Sequence, residues 1–156
     1  MHTMTVPTRI ESLADHLHHL PTLTQWQHAQ FGYLNPAVTV EQRLHRLTAT
    51  AQRGQLPMTC VALCEDQLMG SASLLPKTIT HPHWSPWLSS VYVSPDHRNK
   101  GVGSALVQHM VQQAASMGIP KVYLFTPNSE ALYARLGWTV IEYAELQGRR
   151  ITIMSK

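Results

Sequence analysis

The run Val91-Tyr92-Val93-Ser94-Pro95-Asp96-His97-Arg98-Asn99-Lys100-Gly101-Val102-Gly103-Ser104 changes character twice. Its apolar, β-branched start predicts a strand that extends back to Trp87. The polar stretch that follows, with one proline and two glycines, predicts a loop. Beyond it, Val102, Leu106, Met110 and Ala114 recur at four-residue spacing, joined by Val107 and Val111. That spacing predicts a helix with a broad apolar face, ended by Gly118 and Pro120. A helix start offers unpaired N–H groups and the positive end of its dipole, which suits a phosphate. Glycines at 101 and 103 remove the Cβ atoms that would hold a ligand off the backbone. Arg98 and Lys100 add charge-assisted donors beside them.

Two other phosphate-binding patterns fail on these residues. Leu106 occupies the third glycine position of Gly-x-Gly-x-x-Gly, and Lys100 precedes its glycine with no Gly-Lys-Ser/Thr in the chain. A simple tight turn is the plainer alternative for the glycine pair.

Working outward, Pro21–Tyr33 reads as a helix, with Leu23, Trp26, Ala29 and Gln30 near helical spacing. Thr39 and Gln42 form a capping box for a second helix that carries Val40, Leu44 and Leu47 inward and stops before Gly54. Met58–Cys64 and Leu68–Leu75 read as a hairpin around Glu65-Asp66-Gln67. Pro76 through Pro86 reads as a loop. Lys121–Phe125 reads as a short strand, Ser129–Leu136 as a short helix, and Trp138–Glu145 with Arg149–Met154 as a closing hairpin around Gln147-Gly148. Thr3–Ile10 reads as a first short strand, although Pro7 interrupts it.

The segment Arg98-x-x-Gly101-x-Gly103, behind Val91-Tyr92-Val93-x-Pro95, resembles the acetyl-CoA-binding motif of the GNAT family of N-acetyltransferases. Leu132-Tyr133-Ala134-Arg135-Leu136-Gly137-Trp138 resembles that family's Tyr-x-x-Leu-Gly-Phe segment, with Trp138 in the aromatic place. The order of segments is also similar along most of the chain. The resemblance implies an α/β fold in one domain over residues 1–156, with a mixed, mostly antiparallel central sheet of about six to seven strands flanked by about four helices. It implies acetyl-CoA as co-substrate. Val91, Tyr92 and Val93 would meet its pantetheine arm, across a gap where this strand splays from the next. Arg98, Asn99, Lys100, Gly101, Val102, Gly103 and Ser104 would hold its phosphates. Tyr133 would be the general acid that protonates the departing sulfur. The family's commonest pattern has an asparagine seven residues before that tyrosine; Thr126 stands there, and Asn128 is the substitute for the pantetheine contact.

The resemblance further implies direct transfer to an amine in a ternary complex. The acceptor would lie against the first two helices and the loop before the cofactor strand, which points to Trp26, Phe31, Tyr33, His83, Trp84 and Trp87. No carboxylate lies in Trp87–Val93, so the general base stays open between His81, His83 and water relayed by backbone carbonyls. A CoA-binding module without catalysis is the alternative function.

The totals agree with such a domain. The chain has 156 residues, 44% hydrophobic, enough for a substantial core. Charged residues make up 13% and the net charge is +3. The sparse charge leaves room for a homodimer. The modest positive excess suits an anionic cofactor and argues against nucleic acid as partner. Cys60 and Cys64 share one strand, where four residues span about 13 Å, whereas a disulfide needs less than about 7 Å. Two free thiols, no apolar leader and no long apolar segment predict a cytoplasmic protein without a membrane partner. His16, His18 and His19 beside Asp15 read as a solvated helix face rather than a metal site, and the expected chemistry needs no metal. Ser89-Ser90 lacks the Gly-x-Ser-x-Gly elbow of a hydrolase.

Overall fold

A computed structural model describes residues 8–78 and 81–156. Its centre is one seven-stranded sheet with order β1-β2-β3-β4-β5-β7-β6. The strands are β1 Arg9–Ser12, β2 Met58–Cys64, β3 Gln67–Leu75, β4 Trp87–Val93, β5 Tyr123–Thr126, β6 Thr139–Leu146 and β7 Arg149–Ser155. Four α-helices flank it: α1 Leu20–Phe31, α2 Val40–Ala49, α3 Val102–Ser116 and α4 Glu130–Arg135. All strand pairs are antiparallel except β4 with β5. The mixed, mostly antiparallel sheet expected from the sequence is present.

Residue alternation on β2 separates the two faces of the sheet. Met58, Cys60 and Ala62 join Leu106, Met110 and Ala114 of α3 in one core. Val61 and Leu63 join Leu20 and Leu23 of α1 and Leu47 of α2 in another. With both faces covered, β2 reads as an unbroken apolar run instead of an alternating one. Its two cysteines are free thiols, and burial pushes the Cys60 thiol up to about 11. A third cluster, Trp87, Leu146, Ile151 and Ile153, lies under the C-terminal strands.

Local chemistry accounts for the element ends. The Thr39 hydroxyl accepts from the Gln42 amide at 3.1 Å while the Gln42 side chain accepts from the Thr39 amide at 2.9 Å, the capping box read from the sequence. Gly118, at φ 78°, closes α3 with Ile119 donating to the Ala114 carbonyl at 2.9 Å. Gln147 and Gly148, both at positive φ, make the β6–β7 turn.

Four expectations need correction. Helix α1 ends at Phe31, and Tyr33 lies in the separate 3₁₀ turn Gly32–Leu34. Its inner face is Leu20, Leu23, Thr24 and Gln27; Ala29 and Gln30 are exposed. Thr24 is tolerated there because its hydroxyl donates to the Leu20 carbonyl, and Gln27 because its amide donates to the Ser71 hydroxyl. Leu44 faces solvent at 39% exposure, since α2 turns only Leu47 into the core. The histidine patch is two 3₁₀ turns, Leu13–Asp15 and Leu17–His19, not a helix face. Of the expected strand Thr3–Ile10, residues 3–7 lie outside the described residues, and β1 runs from Arg9 to Ser12.

Candidate active site

Strand β4 is paired on both sides only at its start. Trp87 faces Leu75 of β3 and Tyr123 of β5, and that is the one register pair joining β4 to β5. Farther along, the two parallel strands part. On the β3 side, Ser73 pairs with Ser89 and Ser71 with Tyr92, so β4 uses one residue more than β3 over the same span. The extra residue is a bulge at Ser90–Val91, with Ser90 held at φ 54°. The bulge leaves Ser90 and Val91 without partners on β3, and the parting leaves them without partners on β5.

A cleft of about 460 Å³ opens at this gap. Ser89, Ser90 and Val91 of β4 and Leu124, Phe125 and Thr126 of β5 line its floor. Gln27, Phe31, Tyr33, Arg43 and Arg46 line it from the α1–α2 face, and Asn128, Ser129 and Tyr133 from the other. The gap in the sheet thus joins the two faces. A buried chain of hydroxyls supports the floor: Thr59 reaches Thr50 at 2.7 Å and Ser73 at 2.6 Å. Sequence reasoning did not single out Gln27, Thr50 or Ser73. Their only sequence signal is polarity at positions that pattern as core.

The start of α3 lies on the opposite face of the sheet from α1 and α2. Asn99 and Gly101 both have positive φ, 63° and 81°. No side chain caps α3, so the amides of Val102, Gly103 and Ser104 open its first turn without a capping partner. A Cβ on Gly101 would meet nothing within 4 Å, and one on Gly103 would touch only Val93 Cγ2 at 3.5 Å. This open, uncapped start is a cradle that a pyrophosphate fits. Arg98 flanks it; its Nε donates to the Val93 carbonyl at 2.9 Å and its guanidinium lies 5.9 Å from the Tyr92 ring centre. Arg98 thereby ties the loop to β4 and keeps its remaining donors free for an anion. Asn99 and Lys100 are exposed beside it.

The Leu132–Trp138 segment fixes Tyr133 by a recognisable device. Gly137, at φ 91°, donates to the Ala134 carbonyl at 3.1 Å, and Trp138 donates to the Tyr133 carbonyl at 3.0 Å. This is a Schellman closure, and the hydrophobic contact that accompanies it is Tyr133 against Trp138, edge to face at 6.0 Å. Glycine is needed at 137 for its φ. Burial pushes the Tyr133 hydroxyl up to about 12, so it is a phenol, not a phenolate, at neutral pH. Thr126, where the family pattern has asparagine, uses its hydroxyl to accept from the Ser129 amide at 2.9 Å. Asn128 lines the cleft beside it.

The expected acceptor residues divide. Phe31 and Tyr33 line the cleft. Trp26 packs on Tyr92 at 5.5 Å. Trp84 and Trp87 stack with His81 and Tyr123 in a separate aromatic cluster, where Trp87 is 1% exposed and donates to the Trp84 carbonyl at 2.6 Å. His83 is exposed in the same connection. Of the two candidate bases, His81 is stacked on Trp84 and paired with Glu142, and neither histidine lines the cleft. His16, His18 and Asp66 bring ligand atoms within 4.8 Å of one another, but His16 Nε2 is already bound to Glu11 at 2.6 Å.

A model described as the Acetyltransferase (GNAT) family matches residues 20–138. The chain belongs to this family. Solved structures agree in fold. A GNAT protein from Kribbella flavida, 17% identical, superposes with a TM-score of 0.74 over 96% of each chain. An aminoglycoside 6'-N-acetyltransferase complexed with coenzyme A, 14% identical, gives 0.73 over 95% of this chain and 96% of that one. The protein yncA from Salmonella typhimurium, with its cofactor acetyl-CoA, is 20% identical and gives 0.70 over 96% and 92%. Membership in the GNAT family makes acetyl-CoA the co-substrate and acetyl transfer the chemistry.

Proposed function

We propose that this GNAT protein transfers the acetyl group of acetyl-CoA to a primary amine of a small molecule or peptide, directly and in a ternary complex. The parting of β4 from β5 carries the reading, because it lets a cleft run through the sheet with Tyr133 on one face and the α1–α2 wall on the other. Two substrates entering from opposite faces would meet in line at Ser90–Val91, which supplies rate through proximity.

Acetyl-CoA, when bound, supplies an activated acyl carbon and a thiolate leaving group. The first turn of α3, with Arg98 and Lys100, binds its pyrophosphate. The unpaired backbone of β4 orients the pantetheine arm and directs an amide N–H at the thioester carbonyl. Asn128 contacts the same arm. The amine nitrogen forms a bond to the acyl carbon as the carbon–sulfur bond breaks, and the Tyr133 hydroxyl gives its proton to the sulfur. Water takes the proton that the amine loses, since no histidine, aspartate or glutamate lines the cleft among the described residues. The protein acts in the cytoplasm as one domain over residues 1–156.

The test pairs binding with turnover. At 100 times its Kd, acetyl-CoA should add about 2.7 kcal/mol of stability, visible as a rise in Tm that ATP and NAD do not reproduce. Thiol release over a panel of primary amines then follows transfer. Stabilisation without transfer to any amine would refute the catalytic reading and leave a CoA-binding module.

A further inference from the structure

The acceptor half of the cleft has a charge pattern that its overall composition hides. Arg43 and Arg46, one turn apart on α2, and Lys77, just after β3, all line it. Arg149 adds a fourth cation at the rim, its guanidinium 4.8 Å from the ring centre of the lining Tyr33. No aspartate or glutamate lines the cleft among the described residues. Two arginines away from the cleft are paired, Arg9 with Glu11 and Arg53 with Asp15. Among the described residues Arg43, Arg46 and Lys77 have no acidic partner, and Arg43 Nε is out of solvent with no hydrogen-bond partner.

Like charges at this helical spacing repel, and a guanidinium donor buried without a partner is costly. Burial and then the neighbouring Arg46 lower the Arg43 guanidinium from its ordinary value. An arrangement disfavoured in the empty protein is relieved by an anion.

We propose that Arg43, Arg46 and Lys77 grip an anionic group, a carboxylate or a phosphate, carried by the amine acceptor. The proposal rests on the acetyl-transfer reading and narrows its acceptor. These cations face the α1–α2 side of the sheet, whereas the open helix start that fits the pyrophosphate is on the α3 side, so the coenzyme's own diphosphate does not account for them. The planar arginine forks match either oxyanion by paired donors. The same field disfavours an ammonium in the cleft, which helps the amine to arrive neutral and excludes polycationic acceptors.

Matched pairs of acceptors test this on the intact protein, by thiol release and mass measurement of products. One arm sets L-α-amino acids against their carboxamides; the other sets phosphoethanolamine against ethanolamine. The anionic member of at least one pair should lead in kcat/KM by about 10- to 100-fold, the range of a charge-assisted contact, and the leading arm says which oxyanion is used. In Arg43→Gln and in Arg46→Gln that lead should shrink about 10-fold, with circular dichroism checking that each variant is folded. Neutral members used as well as anionic ones, or a lead that survives both substitutions, would overturn the anionic grip while acetyl transfer stands. So would a loss of acetyl-CoA affinity in Arg43→Gln as large as the loss for the acceptor. Transfer to neither member of any pair, with acetyl-CoA still bound, would overturn this proposal, and the acetyl-transfer reading falls with it only if the wider panel of amines is silent too.

Discussion

The two ends of β4 obey different rules. At Trp87 the strand is paired on both sides, and its indole is sealed among Trp84, Tyr123 and His81. At Ser90–Val91 the same strand is bulged on one side and unpaired on the other, and its backbone faces a cleft. The first end is built for stability and the second for access. The single β4–β5 pair fixes the vertex of the opening, so rigidity at Trp87 is what keeps the far end apart at a set width.

The largest expected effect is at the closed end. Trp87→Ala should cost about 4 kcal/mol of stability, because a large side chain leaves a packed cluster and little can fill its place. Urea unfolding checks it; a loss under about 1 kcal/mol would mean that the vertex lies elsewhere. Next comes Tyr133, the acid we propose for the open end. Tyr133→Phe should lower kcat about 100-fold while acetyl-CoA still raises Tm.

The shift of Tyr133 adds a pH signature. The folded protein holds the neutral phenol up to about 12, whereas the unfolded chain releases the proton at the ordinary 10.0. Its contribution to stability is therefore complete below pH 10 and lost as pH rises through 12. Tyr133→Phe should flatten that alkaline decline in a urea series between these values. No alkaline limb from Tyr133 should appear in kcat below pH 10.

Gly70 sharpens the contrast from the neighbouring strand. It pairs with Val93, and a Cβ there would run into the Tyr92 carbonyl oxygen. Gly70→Ala should destabilise by about 2 kcal/mol and weaken acetyl-CoA binding, since β4 must move at its cofactor end. The smallest effect is at the bulge. Ser90 sits at φ 54°, so Ser90→Gly should leave stability equal or raise it by up to about 1 kcal/mol. A clear loss would show that the Ser90 side chain, not its backbone, holds the bulge.

The sequence displays the closed end of β4 far better than the open one. Trp87–Val93 and Met58–Cys64 were legible to the residue because apolar runs between turn signals are local. The capping box at Thr39 and the closing glycines 118 and 148 were legible for the same reason. The bulge was not, since Ser89-Ser90 reads as a continuation of the strand and register depends on β3. The gap beside it was legible only through family resemblance, as pairing with β5 is set far away in the chain. On α2, Leu47 was rightly read as inward but Leu44 was not, because a helix that packs mainly on another helix needs only Leu47. That misreading also hid Arg43 and Arg46, which pattern as solvent-facing cations and line the cleft instead.

The burial of Cys60 has a chemical consequence for a protein that handles thioesters. A free thiolate is itself an acyl acceptor. With the thiol held up at about 11 by burial, Cys60 stays a thiol rather than a thiolate at neutral pH. The packing that fills the space between β2 and α3 therefore also keeps the Cys60 sulfur from serving as an acyl acceptor.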